Sequence, residues 1–301
     1  MNDNSAVRAL PPEGGAKRQK KPRKRGIEGV AAQTVLIVFL LILLFLTLLP
    51  VLITLIMSFK DANDITSNSV WTFPQNGWHF SNYASAISDT YSYMINTIVI
   101  TFISVVVTML LSCYIAFLFV RKHFAGKNVL FFLIIIPMLV PAVVTLSPTY
   151  ITVLGLGMDG TWWALILPYI AGNQIASIFL LRTFIGQHPA DLYEAGEIDG
   201  AGVFRQFFNI CLPLAVPIMM VQGVSIFAAI YNDFLWPQLI FMDESVQHLS
   251  TLMPRLKQLA QSAVGGATYA IYLVSGIPLV ITTVISLKFF ISGEFAAGLK
   301  L

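Results

Sequence analysis

Few residues in this chain are of types that do chemistry, and none are spaced for catalysis. The four histidines, His79, His123, His188 and His248, are scattered, without an HExxH or other metal-ligand spacing. No Gly-x-Ser-x-Gly elbow occurs. Ala125-Gly126-Lys127-Asn128 lacks both the first glycine and the terminal hydroxyl of a phosphate-cradling loop, so ATP is not expected to act on this chain. Cys113 and Cys211 lie far apart in apolar surroundings and read as small buried hydrophobes. No catalytic residue, cofactor or metal is therefore expected. Two polar groupings remain: Glu194 to Pro213, and Tyr231-Asn232-Asp233-Phe234-Leu235-Trp236-Pro237.

The first grouping has its own local logic. Pro189 suits the first turn of a helix, and Asp191 and Glu194 suit its positive end. Leu192, Ala195 and Ile198 recur at helical spacing, and Gly200 and Gly202 stop the helix where a left-handed turn is cheap. A second short helix over 203–211 is expected to set Phe204, Phe207 and Phe208 on one side. On physics alone, an amphipathic connector resting on lipid headgroups fits as well as a docking surface. In the second grouping, Tyr231, Asn232, Asp233 and Trp236 offer hydrogen bonds and an aromatic platform suited to a sugar. An interfacial aromatic belt with a helix end competes with that reading. Asn96, Asn173 and Gln174 either line a path or bond between packed helices.

The elements that position these groups are set by lipid. Of 301 residues 56% are apolar and only 11% charged, whereas a soluble domain carries roughly 25% charge. Six blocks are long and apolar enough for a bilayer core of about 30 Å: about 31–58, 93–120, 129–154, 162–181, 214–230 and 269–287. The first is too long for a signal peptide and has no small-residue cleavage site. Pro137, Pro141 and Pro148 make the third irregular, and its freed carbonyls are expected to find partners inside a bundle.

Charge sets the orientation. Eight Lys and Arg lie before residue 26, in a Pro-, Gly- and Lys-rich stretch expected to be a disordered tail. Placing that tail inside gathers Arg121, Lys122, Lys127, Arg182, Arg205, Lys288 and Lys300 on the same side and leaves only Lys60, Arg255 and Lys257 outside. The expected fold class is an all-α integral membrane protein with six transmembrane helices, both termini cytoplasmic, and a cytoplasmic helix between spans four and five. Residues 1–30 form the basic tail and 31–301 the membrane domain, with the inner loop at 188–213. The tail's direct entry into an apolar span makes a solvated segment beside a membrane helix a better reading than a nucleic-acid partner, and none is expected. The spans are nearly free of charge, which weighs against an ion-coupled secondary transporter, kept as the alternative.

The loop also resembles the EAA motif of ATP-binding-cassette importer permeases: Glu-Ala-Ala, three residues, Gly, nine residues, Ile-x-Leu-Pro. Here Glu194-Ala195-Gly196 is followed by Gly200 at the right distance and then by Ile210-Cys211-Leu212-Pro213. The one departure is Gly196 for alanine, expected to weaken the helix by about 1 kcal/mol. The 231–237 stretch and Arg182-Thr183-Phe184-Ile185-Gly186 are similar to carbohydrate-importer permeases, nearest the six-span subunit of maltose-type systems. The resemblance implies a binding-protein-dependent sugar importer in the cell membrane of a prokaryote. Its implied partners are a second permease, two copies of an ATPase that binds the ATP and Mg, and an extracytoplasmic binding protein. It further implies that Glu194, Ala195, Gly196, Asp199 and Gly200 dock on the ATPase; the residue pattern, rather than the motif, adds Phe204 and Arg205 to the same surface.

Overall fold

The computed structural model describes residues 27–241, 248, 249 and 265–298, with side chains for 33–241, 248, 249 and 265–287. The tail to residue 26, Arg255, Lys257 and Lys300, and the side chain of Lys288, lie outside the described residues. The chain divides into two compact units, residues 1–51 and 52–301. The first is described as the greater part of α1 (Ile27–Ser58), an unbroken apolar run from Val35 to Leu46 with Pro50 further along the helix. A helix apolar on every side has lipid as its solvent.

In the second unit, α2 (Ala62–Ser67) begins on Asp61, whose carboxylate accepts the Asp64 N–H at 2.7 Å. The central element is α3 (Ser81–Arg121), packed against α6 (Trp163–Ile185), α9 (Leu212–Tyr231) and α11 (Gly266–Gly298). Its buried face is lined by small hydroxyl residues, among them Thr90, Thr97, Thr101, Ser104, Thr108 and Ser112. Small side chains let helices approach closely in lipid, and their hydroxyls must be absorbed. Thr90, Thr97 and Ser104 donate to carbonyls one turn back, and Ser112 donates to Gln174 Oε1 at 2.9 Å. Gln174 thus bonds between packed helices, and Asn173 Nδ2 donates to Tyr169 O within α6.

Among the described residues five helices are long and apolar enough to cross a membrane, and six when one bent pair counts as a span. That pair departs most from expectation. Instead of one irregular span over 129–154 there are α4 (Lys127–Ile135), a 3-10 turn (Ile136–Leu139) and α5 (Ala142–Gly155), bent by 103°. Pro137 and Pro141 remove two N–H donors within five residues, and the ring of Pro141 keeps Val140 extended. Nor does the segment lie inside this chain's bundle: α4 buries no residue and α5 only Val153. The second span also begins earlier than hydropathy indicates, at Ser81 rather than Tyr93. Its polar first turns are held by packing, since Ala86 and Tyr93 share a core with Ala270 and Val274 of α11.

Candidate functional site

The 188–213 loop folds as α7 (Asp191–Ile198), a glycine turn, α8 (Val203–Gln206) and a π-helical turn (Phe207–Cys211) running into α9. The turn is a Schellman motif. Gly200 sits at φ 73°, its N–H donates to Glu197 O at 3.0 Å, and the Ala201 N–H donates to Gly196 O at 2.8 Å. Any residue with a Cβ is strained at that φ, which gives the motif's glycine a backbone reason.

The loop has two faces. Outward stand Glu194, Ala195, Ile198, Asp199, Gly200, Phe204 and Arg205, with Ile198 87% and Phe204 66% exposed. Inward, Tyr193, Phe207 and Cys211 pack with Cys113, Phe117, Leu181 and Ile185. The three phenylalanines do not share a side: Phe207 is only 3% exposed, edge-on to Tyr114 at 5.0 Å, while Phe204 and Phe208 face out. The π turn beginning at Phe207 shifts the helical phase that the 3.6 period assumes. Gly196 has a packing role too. A Cβ there would lie 2.9 Å from Ile210 Cδ1, so the isoleucine tip fills the space of the motif's usual methyl group.

Two cations at the end of α3 hold this loop. The Arg121 guanidinium donates to Ile185 O at 3.3 Å and His188 O at 2.6 Å and lies 4.1 Å from the Tyr193 ring centroid. Lys122 Nζ donates to Glu197 Oε1 at 3.0 Å and to Gln206 Oε1 at 3.3 Å, tying α7 to α8. Gln206 Nε2 in turn donates to Ala201 O at 2.9 Å. The hydrogen bond from Lys122, helped by Gln206, holds the Glu197 carboxyl below its usual range, so the clasp stays charged near neutral pH. Burial, with Arg121 adding to it, lowers His188 and keeps it neutral, and its Nδ1 pairs with Tyr193 OH at 2.9 Å. Sequence reasoning counted Arg121 and Lys122 only as inner charges. Their partners lie more than 60 residues away, beyond any local pattern.

The 231–237 stretch turns its groups inward. Tyr231 is buried and donates to Ser275 O at 2.7 Å. Asp233 Oδ2 accepts from Tyr169 OH at 2.9 Å, and Oδ1 accepts the N–H groups of Leu235 at 3.0 Å and Trp236 at 3.4 Å. That carboxylate therefore starts α10 (Leu235–Ile240). Trp236, 5% exposed, donates its indole N–H to Ala164 O at 3.1 Å, so it offers no open aromatic platform. Asn232 is exposed, with its amide on Ala228 O at 2.8 Å. Tyr231, Asn232 and Asp233 nevertheless line one pocket of about 230 Å³ together with Tyr272 and Ser275. Asn96, half-buried on α3, is not part of it. Among the described residues no three His, Cys, Asp or Glu are grouped to hold a metal ion.

The described residues are all-helical, with five or six helices long and apolar enough to cross a membrane and a braced loop before the last two, the architecture of a multi-pass membrane protein. The chain belongs to the family described as binding-protein-dependent transport system inner membrane component, whose model matches residues 108–293. A probable ABC transporter permease protein of Bacillus subtilis, YurM, is 30% identical over 82% of each chain. The trehalose/maltose transport system permease protein MalG of Thermococcus litoralis is 27% identical, over 73% of this chain and 80% of its own. The fold matches a solved bacterial ABC transporter that imports the acidic polysaccharide alginate. The TM-score is 0.77 at 20% identity, over 88% of this chain and 98% of that one. The chain is thus an inner-membrane permease component of a prokaryotic transport system.

Proposed function

We propose that this chain is one of two permease subunits in an ATP-driven carbohydrate importer, coupled to a separate ATPase through the 188–213 loop. The observation that carries the coupling is the loop's two-faced build: Glu194, Asp199, Gly200, Phe204 and Arg205 are presented outward while Arg121 and Lys122 clamp the same loop to α3. A resting connector has no need of such bracing. A surface that must receive force does. Residues 1–30 act as a cytoplasmic tail and 31–301 as the permease domain. Both termini and the loop lie in the cytoplasm, supported by fifteen basic residues on that side against three. Two ATPase copies bind ATP and Mg, and a binding protein delivers cargo on the opposite side. Carbohydrate as cargo is supported by what the Thermococcus and alginate systems carry. The bare surface of α4 and α5 supports a second permease as their cover.

The energy source is the test. Uptake by cells carrying the whole importer is expected to stop on ATP depletion and to survive an ionophore that collapses ion gradients. The opposite pair of results would install ion coupling in its place.

A further inference from the structure

Arg121, Lys122, Lys127 and Arg182 meet where the end of α3 packs beside the start of α4 and the end of α6. The first two are spent on the 188–213 loop. The other two are not. Lys127 Nζ donates to Lys122 O at 3.1 Å, which leaves the rest of its ammonium donors open. The Arg182 guanidinium lies 3.6 Å from the Phe131 ring centroid, and among the described residues it has neither a hydrogen-bond acceptor nor an acidic partner. That ring is itself wedged against Phe119 of α3, with centroids 5.5 Å apart. Phe131 therefore fixes one face of a half-buried guanidinium and leaves the N–H donors on its edge open. Lys127 lies one turn before Phe131 and so stands on the face of α4 that carries the ring.

The surroundings of the two cations point to the chemistry of a ligand. Leu130 on α4 and Phe179 on α6 each lie one turn from a cation, farther into the apolar helix and on the same helix face, and both are exposed. Open cations at the rim of a bare apolar surface match an anion joined to a hydrocarbon chain rather than a water-soluble one. A guanidinium pairs with phosphate oxygens through two parallel N–H bonds, and an ammonium adds a point charge. Basic pockets between helices at a membrane boundary hold anionic headgroups in this way. We infer that Arg182 and Lys127, with Phe131 as their platform, bind the phosphate of an anionic phospholipid whose acyl chain lies against Leu130 and Phe179. The site is at the α6 edge of α4, and a lipid seated there packs against the corner on which the 188–213 loop is braced. The inference needs only the membrane-spanning helices, not the identity of the cargo.

The full-length chain, purified with its partner subunits, is reconstituted in vesicles of equal phosphatidylcholine and phosphatidylglycerol and extracted again, and the lipids it retains are counted by native mass spectrometry. The native complex is expected to keep phosphatidylglycerol in preference to phosphatidylcholine. Arg182→Gln and Lys127→Gln are each expected to lower that preference about fivefold, and the two together to erase it. Phe131→Leu keeps both charges but removes the platform, and is expected to lower it about two- to fivefold. Phe131→Trp, which supplies the strongest cation–π ring, is expected to keep it. Melting temperatures are expected to stay near native, because neither cation forms an ion pair among the described residues. A preference that survives Arg182→Gln within about twofold overturns the site. So does one that falls with either charge but ignores Phe131→Leu, the mark of diffuse surface charge. Displacement of phosphatidylglycerol by glycerol phosphate would assign the cations to a soluble phosphate, and a cross-link from Arg182→Cys to a partner subunit would assign them to protein. Either result overturns the lipid.

Discussion

Two stretches of this chain look alike as sequence and behave oppositely as structure. The 188–213 loop and the 231–237 stretch both concentrate polar, aromatic and proline residues at the end of an apolar span. In the loop, Glu194, Asp199 and Gly200 stay exposed, while Arg121 and Lys122 outside the motif, with Gln206 from its spacer, do the holding. In the 231–237 stretch, the conspicuous residues do the holding themselves: Asp233, Trp236 and Tyr231 all bond within the chain. A polar residue that its own chain satisfies is a structural part. One that its chain braces but leaves open is a surface for something else.

The largest expected effect breaks the loop side of that contrast. Glu194→Ala and Gly200→Val are expected to lower ATP-driven uptake about 5–150-fold, the span of a coupling free energy of about 1–3 kcal/mol, with membrane insertion intact. Gly200→Asn, which tolerates the left-handed conformation, separates backbone strain from lost docking. Native uptake in Glu194→Ala would remove the loop from the drive train. A middle-sized effect tests the 231–237 stretch. Tyr169→Phe withdraws the hydroxyl from Asp233 and is expected to cost about 2 kcal/mol of stability, as for a hydrogen bond to a charged group, read as a lower melting temperature in detergent. An unchanged melting temperature would mean that Asp233 is not a structural clip. The smallest effect lies at the motif's departure. Gly196→Ala gains about 1 kcal/mol of helix propensity and loses about 0.5–1.5 kcal/mol as Ile210 leaves its rotamer, so stability and uptake are expected to stay nearly native. A large loss of uptake with stability intact would place Gly196 itself against the ATPase.

The apolar blocks, the helices of the 188–213 loop and the turn at Gly200 were legible in the sequence because each follows from a local rule: hydropathy, helical spacing, or the need for positive φ. The 103° break was only half legible. Pro137 and Pro141 foretold irregularity, but whether a proline pair kinks a span or folds it back depends on what packs beside it, and α4 has no buried residue to hold it straight. The polar start of α3 was invisible to a hydropathy rule, since its helix is held by contacts with α11, far away in the chain. The pocket at the end of α9 was half legible: Tyr231, Asn232 and Asp233 were visible as a cluster, whereas Ser275 and Tyr272 are ordinary residues of an apolar span until the fold sets them beside it.

Helix α3 runs for 41 residues without a proline or a break, about 61 Å at 1.5 Å per residue and twice the depth of a bilayer core. Its last turn carries the cation that grips the loop. Its first turn carries Asn82, whose amide donates to the carbonyls of Ser58 at 2.8 Å and Lys60 at 3.1 Å. A stiff rod of that length turns angle into distance: each degree of tilt about one end moves the other by about 1 Å. A rocking of a few degrees under the loop is therefore enough to shift the opposite end by the width of an atom or two, with no hinge anywhere along the way.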